Sequence, residues 1–535
     1  MSHCWRLDDG HQTLVLATKG DLLPQVVYWG KPLPTSDPSA VLAEAHQQDF
    51  TGGMLDGNPD LSLCPEASQT FPGQPGLRCR NTQGALLQPK FRFLSAEESA
   101  NNLVLTYQDT ALGITYEANF ALTPQTGLIT AWARLTSTKP IWLQWLAAPV
   151  FPAPQNSSEM LDVSGRWIGE FQINTVPWSA GIHLRESRTG RSGHEHFPGL
   201  VIPESGTNNT TGQAYGFHYG WSGGHKMIAE ELPDGRRQVQ FGNATDSELT
   251  SGLQYDTAKL YAVFSDQGLN GCAVAFQRHL RDHIVKFAKA AMPRPVHYNC
   301  WEAIYFDHDI SVLKQIATKA KSLGAERFVL DDGWFGHRDD DTTSLGDWQI
   351  DSRKYPDGLG PIVDHVSALG MQFGLWFEPE MVSPNSTLYR AHPDWVLGPT
   401  DQLLGRKQMV LDMGLQEVSE YLFNSIAALL RKYDITYIKW DHNRVLPISD
   451  ADQTRASYAL LARLQIDFPH VEIETCASGG GRIDFGILNH TQRVWLSDSN
   501  DALERSRIQH GAALFLPSAV TGSHVGPRQC HTTGR

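Results

Sequence analysis

From residue 296 onward, seven short runs rich in β-branched and aromatic residues recur, most of them separated by stretches of helical length: VHYNCW (296–301), RFVLDD (327–332), QFGLWFEP (372–379), TYIKWD (436–441), VEIETCAS (471–478), RVWLSD (493–498) and PSAVTG (517–522). No other feature of the chain restricts its fold as tightly. Near-continuously apolar strands that alternate with helices must be buried on both faces, which requires a parallel sheet covered by helices. A (β/α)8 TIM-type barrel is the natural closure of such a sheet. The competing arrangement is an open doubly wound sheet, but no G-x-G-x-x-G or phosphate-binding loop follows the first run. No eighth strand is visible, because the chain ends at HVGPRQCHTTGR directly after the seventh run. The barrel over 295–535 is therefore expected to be incomplete at its C-terminal end. Its first and seventh strands would have unpaired edges, which predicts an unstable or weakly active chain.

The first half has a different rhythm. Short alternating or aromatic segments, LVLTY (103–107), ITYEANFAL (114–122), LITAWARL (128–135), IWLQWL (141–146), RQVQFG (237–242) and KLYAVF (259–264), stand between turn-rich stretches. This spacing predicts a large antiparallel β-sandwich over 1–272. In AFQRHLRDHIVKFAKAA (275–291), Phe276, Leu280, Ile284 and Phe287 share one helical face, so 273–294 reads as a connecting helix and linker ended by Pro293 and Pro295. A chain of 535 residues has room for such a multidomain plan.

Bulk properties exclude several function classes. The net charge of −14 and the lack of clustered Lys and Arg argue against nucleic acid. No run of 18 apolar residues predicts a membrane span, and the N-terminus MSHCWRLDDGHQ shows no secretory signal. Seven scattered cysteines without a CxxC pair fit a reduced, cytoplasmic setting better than a disulfide framework or a zinc site. The fifteen tryptophans fit carbohydrate binding, since indole faces stack on the C–H faces of sugars, although most of them would be core.

A barrel gathers its chemistry at the C-terminal ends of the strands. Here those ends read Cys300-Trp301-Glu302, Asp331-Asp332-Gly333-Trp334, Trp376-Phe377-Glu378-Pro379-Glu380, Lys439-Trp440-Asp441, Cys476-Ala477-Ser478 and Ser497-Asp498. An acidic rim lined with Trp and free of nucleotide or metal motifs points to glycosidic cleavage. That reaction needs two carboxyls flanking the anomeric carbon, about 5–5.5 Å apart in retaining enzymes and about 6.5–9.5 Å in inverting ones. Asp441 and Asp498, ending the fourth and sixth strands, can face one pocket.

VLDDGWF (329–335), LGDWQID (345–351), GLWFEPEMV (374–382), GRKQMVLD (405–412), YIKWDHNR (437–444), CASGGGRID (476–484) and WLSDSNDALERSRIQ (495–509) follow one another in an order that resembles the bacterial α-galactosidases of glycoside hydrolase family 36, in clan D. The resemblance runs from the N-terminal half to residue 535. It implies an N-terminal β-supersandwich, a barrel and a further C-terminal β-domain that this sequence does not include. It also implies retaining hydrolysis of terminal α-galactosyl residues, as in melibiose or raffinose, through a covalent galactosyl intermediate. By the same resemblance Asp441 is the nucleophile and Asp498 the acid/base. Asp501 is the rival for the second role, but Asp501-Ala-Leu-Glu504 reads as a capping box.

Asp331 and Asp332 match the acceptors of the galactose 4- and 6-hydroxyls. Lys439 and Arg406 match residues that contact the sugar and steady the carboxylates, Trp301 and Trp376 match pocket walls, and Asn443 belongs to the substrate-binding set. Cys476 and Gly479 match the place of the 2-hydroxyl, where a Cys disfavours an N-acetyl group. Relatives form tetramers, so a homo-oligomer, here a tetramer, is expected. Two departures stand beside the catalytic carboxylates: SDSND replaces the usual SDNTD, and His442 stands where many relatives have Met.

No cofactor and no metal are expected. The glycines 479–481 lack the Lys-Ser/Thr of a phosphate loop, and His524, Cys530 and His531 match no metal spacing. The run Arg338–Asp341 reads as a solvated loop, without the EF-hand pattern. Two other functions fit the sequence less well: a galactosyl transferase of the raffinose-synthase type, and a galactoside-binding form with little activity.

Overall fold

The computed structural model describes residues 3–34, 55–287, 293–522 and 525–526. His524, Cys530, His531 and the terminal HTTGR lie outside the described residues.

The first half consists of antiparallel sheets of three, twelve and four strands. In Ile114–Thr123, burial alternates residue by residue, with Ile114, Tyr116, Ala118, Phe120 and Leu122 turned inward. This period of two is what the pleat imposes on a half-buried strand. The three sheets meet at an aromatic knot, where Trp29, Phe151 and Phe217 lie with ring centroids 5.0–5.8 Å apart. One expectation needs correcting: the runs at 128–135 and 141–146 form a single strand, Leu128–Leu146. Pro140 has no N–H to donate, and it falls between the stretches paired to neighbouring strands, so it interrupts no ladder bond.

The connecting helix is also displaced from its expected bounds. It spans Gly268–His279 and continues as a π-helical turn, Leu280–Ile284, after which Val285 is extended. Residues 288–292 lie outside the described residues. The helix begins eight residues before Phe276, a start the sequence hides because Gly268 and Gly271 are poor helix formers that packing requires. Gly268 has φ +64°, and a Cβ on Gly271 would lie 1.9 Å from Ser265 Oγ.

The second half carries a six-stranded parallel sheet: His297–Asn299, Arg327–Leu330, Gln372–Phe377, Tyr437–Trp440, Glu472–Thr475 and Arg493–Val494, paired in chain order. A doubly wound sheet reverses strand order at a switch point. This one does not, so it follows the arc of a barrel. The expected seventh strand, 517–522, is reduced to a turn and one parallel bridge, Val494 to Thr521. Among the described residues the first and sixth strands do not pair with each other.

Helices pack outside this arc. In Gln416–Lys432, Val418, Leu422, Ile426, Ala427 and Leu430 form the buried stripe. Asp309, Asp450, Asp484 and Asp501 each accept N–H groups of the helix turn they open, worth about 1 kcal/mol apiece. Because every strand runs the same way, Asp331, Glu378, Asp441, Cys476 and Asp498 all leave the sheet at one rim.

Candidate active site

Asp441 follows the fourth strand and is 6% exposed. Four N–H groups donate to its carboxylate. Trp376 Nε1 (3.2 Å) and Asn443 Nδ2 (2.7 Å) reach Oδ2, and the backbone N–H groups of His442 (2.8 Å) and Ser478 (3.4 Å) reach Oδ1. Burial pushes its pKa up, but the charges of Lys439 and Arg406 and the hydrogen bonds from Asn443 and the Cys476 thiol more than offset that. Asp441 is held below the ordinary carboxylate range. Lys439 itself is paired to Asp331 (Nζ–Oδ2 3.0 Å), and Arg444 turns away to Gln402 and the Leu403 carbonyl. Asp441 is therefore an ionised carboxylate in a ring of donors, with neither cation in direct contact.

Asp498 follows the sixth strand and is only partly buried. Trp495 Nε1 donates to Oδ1 (2.8 Å) and Trp167 Nε1 to Oδ2 (2.9 Å). Its pKa moves the other way. Burial raises it and the charge of Asp441 adds to the rise, against smaller lowering effects of Trp167, Lys439 and Trp495. Asp501, three residues on, accepts from Leu503 N and Glu504 N and caps helix Ala502–Ala512.

The remaining candidates gather around these two. Asp331 Oδ2 accepts from Asn299 Nδ2 (2.5 Å) as well as from Lys439. Asp332 is held by Arg338 through two parallel bonds (3.0 and 2.9 Å), with Arg406 3.5 Å away. Trp301 lies 5.8 Å beneath the Arg406 guanidinium. Trp376 is 1% exposed and acts as a donor to Asp441, so it is less an open wall than a support. Cys476 is buried at 2%. Gly479 (φ +76°) is pressed against the backbone of the sixth strand's end, since a Cβ there would lie 2.7 Å from Asp498 N and 2.9 Å from Glu170 Oε1. Only glycine fits this approach.

The acids of the run Arg338–Asp341 face solvent as expected, with Asp339 and Asp340 exposed, but Arg338 does not. Arg338 is 0% exposed, Asp339 pairs with Arg353 and Lys354, and Asp341 pairs with Arg406. Glu378, which sequence reasoning noted only as a strand ending, is fully buried and accepts from Asn443 N (2.5 Å) and Gln408 Nε2 (2.6 Å). Burial and the nearby Asp441 push its pKa up to about 7. His442 is buried and neutral, pushed down to about 3 by burial and by Arg482. Trp167, Glu170, Arg191 and His194 come from the sandwich half, and no local motif marked them. Among the described residues, no group of three His, Cys, Asp or Glu could hold a metal ion, all six cysteines are free, and no helix is long and apolar enough to cross a membrane.

Two carboxyls on one rim of a parallel (β/α) sheet, one held below and the other above the ordinary carboxylate range, are the pair of settings that glycosidic cleavage uses. Residues 254–535 match the Melibiase family model, and residues 22–250 match the glycosyl hydrolase family 36 N-terminal domain. The chain is 39% identical over 544 residues to an α-galactosidase of Escherichia coli, covering 99% of this chain and 76% of that one. It is 36% identical over 463 residues to α-galactosidase AgaA of Geobacillus stearothermophilus, covering 83% of this chain and 64% of that one. The crystal structure of AgaA superposes with a TM-score of 0.93 at 30% identity, over 100% of this chain and 80% of the other. The chain belongs to glycoside hydrolase family 36.

Proposed function

We propose that this enzyme hydrolyses terminal α-D-galactosyl residues of galacto-oligosaccharides such as melibiose and raffinose, with retention of configuration. The opposed settings of Asp441 and Asp498 carry this reading. Ionised Asp441 attacks C1 from the β face while protonated Asp498 gives its proton to the glycosidic oxygen, and the C1–O bond breaks. The resulting β-galactosyl ester on Asp441 is then opened by water, whose proton passes to Asp498, and α-galactose leaves.

Asp331 and Asp332 accept the 4- and 6-hydroxyls on their remaining lone pairs. A sugar without the axial 4-hydroxyl leaves buried carboxylates unpaired, which gives strong discrimination. Lys439 and Arg406 supply the balancing charge, Asn443 orients Asp441, Trp301 lines the sugar subsite, and Trp376 supports Asp441 from behind it. Cys476 and Gly479 shape the floor at the 2-hydroxyl. Variants of AgaA solved with raffinose, stachyose and 1-deoxygalactonojirimycin support this substrate class. The same reading divides the chain into a sandwich, a connector that starts with the helix at Gly268 rather than at 273, and a catalytic part from 295. It places the enzyme in the cytoplasm as a homo-oligomer, a tetramer by family resemblance.

The purified protein is expected to release nitrophenol from 4-nitrophenyl α-D-galactoside and galactose from raffinose, with the α-anomer appearing first by NMR. A β-anomer as first product would rule out retention, and no release from any α-galactoside would rule out the activity. Added sugar acceptors test transfer in the same assay.

The pH profile gives a second test. Asp441, lowered, must lose its proton, and Asp498, raised, must keep it, so kcat/KM is bell-shaped with its alkaline limb set by Asp498. The Trp167 N–H favours the charged form of Asp498. Trp167→Phe should therefore move the alkaline limb to higher pH and leave the acid limb in place. An unmoved alkaline limb would separate Trp167 from Asp498.

A further inference from the structure

The loop after strand Gly181–Ser187 of the sandwich half enters directly beneath the catalytic rim. Gly193 N donates to Gly481 O (2.8 Å), and a Cβ on Gly193 would lie 1.9 Å from Gly480 O, so the two loops touch backbone to backbone. From this loop Arg191, 7% exposed, extends Nη2 to the carbonyl of His442 (3.0 Å) and to Ser478 Oγ (3.3 Å), while Nη1 lies 3.2 Å from His194 Nδ1. Ser478 Oγ then donates to Asn443 Oδ1 (2.9 Å), and Asn443 Nδ2 donates to Asp441 Oδ2 (2.7 Å).

The direction of this relay follows from its last member. An ionised carboxylate only accepts. Asn443 must turn its amide N–H₂ toward Asp441, so its Oδ1 accepts the Ser478 hydroxyl proton, and the Ser478 oxygen accepts from the guanidinium. Ser478 is held at φ +49°, an unfavourable conformation for a side chain, and from it its own N–H reaches Asp441 Oδ1. The His442 carbonyl that Arg191 grips belongs to the residue whose N–H also donates to Asp441. Three of the four N–H donors around Asp441 are thus anchored, directly or through one neighbour, on Arg191.

We infer that Arg191 is a positioning residue for the catalytic nucleophile, supplied by the sandwich half and acting through His442, Ser478 and Asn443. This role rests on the reading of Asp441 as nucleophile. It differs from simple cement between the halves because the guanidinium orients a carboxylate it does not touch. It also adds positive charge there. The groups facing Asp441 are Lys439, Arg406, Arg191, Glu378, Asp498 and the Cys476 thiol, so loss of Arg191 removes one of three cations and should raise the pKa of Asp441.

The test compares Arg191→Ala, Arg191→Lys and Arg191→Gln in the full chain with 4-nitrophenyl α-D-galactoside, well below each melting temperature. Arg191→Ala should lower kcat by about 10²-fold, as expected for a misplaced reacting group, with KM changed by less than about threefold. Its acid limb should move to higher pH, and millimolar guanidinium should restore part of kcat. Arg191→Lys, still a donor only, should keep at least about tenfold more activity than the Ala variant and an unmoved acid limb. If the Ala variant does not fold, Lys against Gln decides, because Gln keeps an N–H donor but brings no positive charge. Variants that keep kcat within threefold of the wild type, or whose loss lies wholly in melting temperature and soluble yield, would overturn the role. A wild type that cleaves no α-galactoside would overturn the activity beneath it, an outcome separate from either.

Discussion

Asp441→Asn is expected to lower kcat by on the order of 10⁴-fold or more, the scale seen when a covalent nucleophile is removed. KM should change little, because the sugar is held mainly by other groups. The side chain keeps its size but can no longer form the ester, and its amide N–H₂ faces Trp376 Nε1 and Asn443 Nδ2, both donors. The decisive companion is Asp441→Gly with added azide. The vacated space admits the anion, which forms an N–C1 bond as nitrophenolate leaves, so β-galactosyl azide should accumulate. Mass and NMR identification of that product assigns the attacking face. Wild-type turnover in Asp441→Asn would remove Asp441 from the mechanism.

The second large effect concerns stability. Arg338→Met should destabilise the catalytic half by about 3–5 kcal/mol, the cost of leaving a buried carboxylate without its partner. Arg338 is fully buried, bonded twice to Asp332 and once to the Thr343 carbonyl (2.9 Å), with Phe306 and Phe335 over its guanidinium at 5.4 and 6.0 Å. At roughly 2–4 °C per kcal/mol for a domain of this size, the melting midpoint should fall by about 6–20 °C. Adding Asp332→Asn should recover part of the loss, since a neutral amide tolerates the missing cation better. A single variant that melts within 2 °C of wild type would show that solvent reaches Asp332 freely.

How much of this was legible in the sequence depended on distance along the chain. The strand endings were readable because period and polarity change within a few residues. That placed Asp331, Asp441, Cys476 and Asp498 on one rim and separated Asp498 from the capping Asp501. The burial of Arg338 is hidden because the three acids after it are solvated, and the Arg reads as one with them. Only the fold brings Asp332, six residues earlier, against its guanidinium. Trp167 and Asp498 are 331 positions apart, and Arg191 and Ser478 are 287 apart. No periodicity links such pairs. The merger of 128–135 with 141–146 was hidden for a related reason, since Pro140 signals a break unless the neighbouring strands leave its missing N–H unused.

The contact of Gly193 with Gly480, and of Trp167 with Asp498, also bears on how such an enzyme can be rebuilt. Parts of one working surface belong to two separately layered bodies, so the border between them is a poor place to cut or graft. A chimera that takes its carboxylates from one parent and its sandwich from another inherits two half-matched loops, each shaped to the missing partner. Segments 165–194 and 476–498 should be exchanged together or left alone.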